Sequence, residues 1–146
     1  MARKVFFSFK YDDVQRVMNV RNSNVIGREQ FYGYIDKADF EAVERKGDAG
    51  IKAWIDGQLE GTSVTVVLVG ANTDKSKWVK YEIAQSLARG NGILTVDISK
   101  IADLNQETTA CCALRVEGAL HYLWNKEDGR TNLGKWVEAA AKAAGR

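Results

Sequence analysis

The chain has 146 residues, of which 45% are hydrophobic and 27% charged, with a formal net charge of +2. That is the composition of one soluble globular domain large enough to bury a sizeable core. The charge is too small to argue for nucleic acid or an anionic membrane as partner, and no apolar run approaches the ~20 residues of a membrane-spanning helix.

The amino terminus, Met1-Ala2-Arg3-Lys4, runs into a strand with no secretion-signal apolar stretch, so cytoplasmic residence is the expectation. Lys4 to Phe9 reads as that strand, short and aromatic. Asp12 or Asp13 can then cap a short helix through Val14, Val17, Met18 and Val20. Ser8 and Phe9 therefore sit at the carboxyl end of the first strand. Residues 21–36 are polar with aromatic insertions and weak periodicity, with a short strand around Tyr32 to Ile35 as the candidate element. Long irregular segments are often binding loops. Arg21, Asn22 and Arg28 suit phosphates or hydroxyls there, and suit ordinary loop surface equally well.

Ala38 to Arg45 reads as a short helix. Asp48 caps a second, with Ile51, Trp54, Ile55 and Leu59 on one face and Gly61 at its end. Val64 to Val69 is a nearly continuous β-branched run, as a strand buried on both faces of a parallel sheet requires. Gly70 ends it, and Ala71 to Lys75 is turn chemistry. Ser76 or Asp74 can cap the helix that follows, whose stripe is Val79, Ile83 and Leu87. Gly90-Asn91 stops it, and Ile93 to Ile98 is the next strand. Glu82 falls on the shoulder of that stripe, half sheltered, with Trp78 four residues earlier on the same side. A carboxylate beside an aromatic wall over the strand ends suits work on a bound ligand. A solvated Glu near a helix start is the plainer alternative.

Residues 99–118 suggest a turn or short helices on the sheet edge. Leu120 to Trp124 reads as an edge strand, and Thr131 or Asn132 caps a last, Ala-rich helix. Cys111 and Cys112 are adjacent and read as reduced and structural. His121, the single His, reads as a core or boundary residue, which leaves no zinc set and no nucleophile–His arrangement. No Gly-rich dinucleotide motif follows the first strand, and no Asp ends the middle strand as a phospho-receiver requires. With no repeat or linker, residues 1–146 read as one domain.

Val5-Phe6-Phe7-Ser8-Phe9, Val20-Arg21-Asn22-Ser23, Thr62 to Gly70 leading to Lys77-Trp78-Val79-Lys80-Tyr81-Glu82-Ile83, and Arg89-Gly90-Asn91 resemble the TIR-like family of Thoeris ThsB proteins. Asn132 to Glu138 resembles that family's closing helix. The resemblance implies a flavodoxin-like, TIR-like α/β three-layer sandwich with a central, mostly parallel sheet flanked by helices. It implies antiphage defence: on infection, NAD is cleaved at the nicotinamide–ribose bond and the ADP-ribose is cyclised into a signal nucleotide that activates a separate effector protein. Glu82 corresponds to the catalytic carboxylate, and Ser8, Phe9, Asn22 and Trp78 to the nucleotide's surroundings. NAD enters as substrate, with no cofactor and no metal; self-association and a phage-derived trigger are compatible with it, as is an enzyme silent until triggered. The competing reading is a non-catalytic TIR-like adaptor acting through protein partners.

Overall fold

The computed structural model describes residues 3–23, 25–33 and 37–146. At its centre lies β3 (Val64–Val69), every side chain of which is buried. Val64, Val66 and Leu68 enter one layer with Val17 and Val20 of α1 (Val14–Asn22) and Leu133, Val137 and Ala141 of α5 (Gly129–Ala143). Val67 and Val69 enter the opposite layer, against Val79 of α4 (Lys77–Ala88). Helices on both faces are what the unbroken apolar run requires. β1 (Val5–Ser8) divides likewise: Phe7 joins the α1/α5 layer, and Phe6 packs on Ile55 and Leu59 of α3 (Gly47–Leu59).

β2 (Phe31–Tyr32), β4 (Gly92–Asp97) and β5 (Leu120–Leu123) complete a sheet of order β2-β1-β3-β4-β5. Its described pairings are parallel throughout, with Ser8 level with Val67 and Val69 level with Asp97. This is the flavodoxin-like α/β fold. The chain passes from β1 out to β2 and returns to β3 on the other side of β1. Such a reversal opens a crevice at the carboxyl ends of the two strands flanking it. α2 (Lys37–Glu44) packs on α3. Tyr34 to Asp36, and with them part of the candidate strand around Tyr32 to Ile35, lie outside the described residues. Among the described residues no helix is long and apolar enough to cross a membrane.

The helix ends only partly follow the capping expectations. Ser76 caps α4, its hydroxyl accepting from the Val79 N–H at 3.2 Å. Ser76→Ala is expected to cost about 1 kcal/mol, read as a lower urea midpoint with an unchanged slope. Asp48 is not a cap: α3 begins one residue earlier, leaving Asp48 in its first turn. α5 begins at Gly129 rather than at Thr131 or Asn132, preceded by Asp128 in the left-handed region at φ 53. The reason is Trp124. Its ring lies against Gly129, where a Cβ would come within 2.1 Å, so a helix can start there only on glycine.

Residues 99–118 contain no described helix or strand. Backbone bonds pin the segment instead, Thr109 N–H to the Ser99 carbonyl at 2.9 Å and Cys112 N–H to the Gly70 carbonyl at 3.0 Å. Arg16 of α1 adds a bond from Nε to the Ile101 carbonyl at 2.8 Å. Ile101 is buried while Leu104 is 80% exposed, so the two do not share a packed face.

Candidate functional site

α4 is turned further than its apolar stripe indicates. Val79, Glu82 and Ser86 are its buried residues, and Leu87 is 55% exposed. By the 3.6-residue period the buried face is rotated roughly 60° from the Val79-Ile83-Leu87 line. A polar seam accounts for it. The Ser86 hydroxyl bonds the Glu82 carbonyl at 2.7 Å and the Thr65 hydroxyl at 2.7 Å. The Asn91 side-chain amide donates to Thr62 Oγ1 at 3.1 Å beyond it. Satisfied polar groups can be buried as readily as apolar ones, and a hydrophobic pattern does not register them.

Glu82 is therefore not half sheltered but 7% exposed. Ser8, buried at the end of β1, donates its hydroxyl to Glu82 Oε1 at 2.7 Å. Burial pushes the Glu82 carboxyl up to about 8, and the Ser8 bond pulls weakly the other way. Ser8→Ala is accordingly expected to raise the carboxyl further, as read by carbon NMR titration of the Glu82 side chain. A midpoint unchanged from wild type would remove Ser8 from the electrostatics of this carboxyl.

Glu82 is part of the lining of a cavity of about 400 Å³ to which six aromatic residues contribute. Phe7 and Phe9 come from β1 and its exit, Trp54 from α3, and Trp78 from the first turn of α4. Tyr11 and Phe40 stack face to face, ring centroids 4.1 Å apart, and also line it. Lys10, Asp12, Glu44, Ser76 and Lys77 supply the other polar and charged lining. Trp78 stands edge-on to Tyr81 at 6.0 Å, which holds its ring in place.

Of the residues singled out in the sequence, Ser8, Phe9, Trp78 and Glu82 come together here, Ser8 through its bond to Glu82. Asn22 does not join them. It is the exposed last residue of α1 and is not among the residues that line the cavity. Arg21 also lies in that last turn, and Arg28 opens a short 3-10 turn before β2. Lys10, Tyr11, Phe40, Trp54 and Lys77 were not anticipated; Trp54 was legible only as part of an apolar helix face.

The Asp12-Asp13 pair divides its roles. Asp12 pairs with Lys10 at the cavity, whereas Asp13 is buried without a capping bond. The Asp13 carboxyl lies against Gly70, where a Cβ would approach its Oδ2 to 2.3 Å. Burial raises Asp13 above its ordinary value, with Arg16 at 3.7 Å opposing. Gly70 is thus required by a close approach rather than simply by a turn. His121 is a half-buried boundary residue, Nδ1 paired with Thr95 Oγ1 at 2.7 Å. Cys111 and Cys112 are free thiols packed beside Val67 and Val69, and burial pushes Cys111 up to about 11.

Residues 6–103 match the family model described as Thoeris protein ThsB, TIR-like domain. The chain belongs to this ThsB TIR-like family. Both members of the Ser8–Glu82 bond fall within the match, as do Phe9 and Trp78. β5 and α5, including the stretch from Asn132 to Glu138, fall outside it. A curated relative from Bacillus cereus (strain MSX-D12), named "Putative cyclic ADP-D-ribose synthase ThsB1", is 42% identical over 106 residues. The alignment covers 70% of this chain and 55% of that protein, so the chain spans about half the relative's length.

Proposed function

We propose that this TIR-like domain cleaves NAD at the nicotinamide–ribose bond and cyclises the ADP-ribose into a signal nucleotide. That nucleotide activates a separate effector protein in antiphage defence. The observation that carries the reading is Glu82, a buried carboxyl hydrogen-bonded by Ser8 in an aromatic cavity at the switch point of the sheet. The relative's name, "Putative cyclic ADP-D-ribose synthase ThsB1", supports the substrate class.

Departure of nicotinamide leaves an oxocarbenium-like ribose. A carboxylate beside it stabilises the developing positive charge, as carboxylates do in glycoside hydrolysis. With its pKa raised to about 8, Glu82 is mostly neutral at neutral pH. A cationic nicotinamide ring brought against it favours ionisation, so the charge is created where the reaction needs it. Phe9 and Trp78 offer faces for stacking. Cyclisation in place of hydrolysis needs a nucleophile of the substrate itself held at the ribose with water excluded, and the aromatic walls favour that outcome.

The test is NAD consumption with product identification in cells expressing wild type or Glu82→Gln, before and after phage challenge. Wild type is expected to form a nucleotide product and the variant none. If a phage restricted by wild type elicits no nucleotide product, and Glu82→Gln protects equally well, the domain acts through a protein partner and catalysis is excluded.

A further inference from the structure

We propose that Lys77 and Lys10 form an anion subsite of the cavity that grips the diphosphate of the bound dinucleotide, with Asp48 and Asp12 holding the two ammonium groups until it arrives. The inference rests on the dinucleotide reading above and names how that substrate is oriented.

Both lysines line the cavity, Lys10 from the segment after β1 and Lys77 from the first residue of α4. Lys10 lies two residues beyond Ser8, and Lys77 opens the helix that carries Glu82. Each is paired with a carboxylate. Lys77 Nζ lies 3.0 Å from Asp48 Oδ2, with both side chains about two-thirds exposed (66% and 68%). Lys10 pairs with Asp12, itself largely exposed. Lys77 Nζ also lies 4.8 Å from the Trp78 ring centre, so its charge stays beside an aromatic wall of the cavity. The other ionisable groups of the lining are Tyr11, Asp12, Glu44 and Glu82.

The cavity thus carries groups of both signs. The buried carboxyl of Glu82 suits the cationic ring of the substrate, and the two lysines suit its anionic bridge. Exposed ion pairs such as Lys77–Asp48 are weak, because water and salt screen them. Ammonium–phosphate contacts are stronger, being charge-assisted on both sides. Exchange of carboxylate for diphosphate is therefore favourable, and Asp48, which does not line the cavity, becomes a competitor rather than a contributor.

The experiment is calorimetric titration of the purified domain with ADP-ribose, which carries the diphosphate and lacks the scissile bond. Wild type is expected to bind. Lys77→Met and Lys10→Met are each expected to weaken binding on the order of tenfold, the usual scale for a lost charge-assisted contact. Asp48→Asn, by freeing Lys77, is expected to tighten it about two- to fivefold, a gain that loss of a merely structural ion pair would not produce. Lys52, whose ammonium lies over Tyr81 at 5.6 Å on α3, is not part of the lining, and Lys52→Met is expected to bind as wild type. The subsite is overturned if wild type does not bind ADP-ribose, if both lysine variants bind as wild type does, or if Asp48→Asn weakens binding. Binding is read without turnover. ADP-ribose binding with this pattern in a domain that never consumes NAD would sink the catalytic reading alone, and NAD consumption with unaltered lysine variants would sink the subsite alone.

Discussion

Glu82→Gln is expected to lose NAD consumption by a factor on the order of 10²–10⁴, the range for removal of a positioned acid–base group, while gaining stability at alkaline pH. Both effects come from one cause. Burial moves the carboxyl from 4.5 to about 8. Between those values the folded protein keeps a proton that the unfolded chain has released. Stability contributed by this group is therefore complete below the unfolded value, falls as pH rises through the window, and levels off above the folded value. At about pH 9 the penalty for ionising Glu82 in place is on the order of 3–5 kcal/mol. Gln has no charge to bury and still offers Ser8 an acceptor. Wild type and variant should unfold alike at about pH 4 and diverge in the variant's favour as pH rises, with denaturant midpoints as the readout. Parallel pH curves would mean that Glu82 is not held in a site that resists its ionisation. A variant both inactive and less stable at every pH would mean that the substitution had damaged packing, and its inactivity would then say nothing about catalysis.

That trade of stability for a poised carboxyl also explains what could be read from the residues beforehand. β3 was legible because a run buried on both faces has a single one-dimensional signature. So was α4, with its Ser76 cap and its terminal Gly90, which takes φ 76 as the expected left-handed stop. The burial of Glu82 was not legible, because the face of α4 that meets the sheet is part polar. Ser86, Thr65 and Asn91 satisfy one another across 21 and 26 residues of sequence, and no local periodicity carries that. Asp48 and Asp13 have the right chemistry for capping and do other things. Asp48 reaches across to Lys77, and Asp13 is drawn under Gly70. Asn22, which the resemblance over Val20 to Ser23 assigns to the site, is the exposed end of α1 and is not among the residues that line the cavity. Aromatic residues from four separate segments line the cavity, and their convergence exists only once the strand order reverses between β1 and β3.

Gly92→Val is expected to destabilise the domain by about 3 kcal/mol or more, against what strand propensity alone would suggest. Gly92 opens β4, level with Val64 of β3, where a β-branched residue would ordinarily be favoured. Replacing a strand glycine also reduces the entropy lost on folding, roughly 0.5–1 kcal/mol in favour of the variant. Space decides the sign. A Cβ at Gly92 would lie 2.3 Å from the Ala140 carbonyl oxygen and 2.6 Å from its carbon. Those are backbone atoms of α5, which cannot turn aside as a side chain can. Relief requires α5 to lift from β4, and Leu133, Val137 and Ala141 would then lose part of their contact with the sheet. Gly92→Ala already demands that shift, and Val adds two methyl groups to it. In urea, Val should lower the midpoint more than Ala, with both below wild type. Glu82, on the other face of the sheet, should keep its raised titration in whatever fraction remains folded. If Gly92→Val proved neutral, α5 would have to pack on β4 less closely than the Ala140 contact requires, and the closing helix would be a loosely attached addition rather than the second wall of the core.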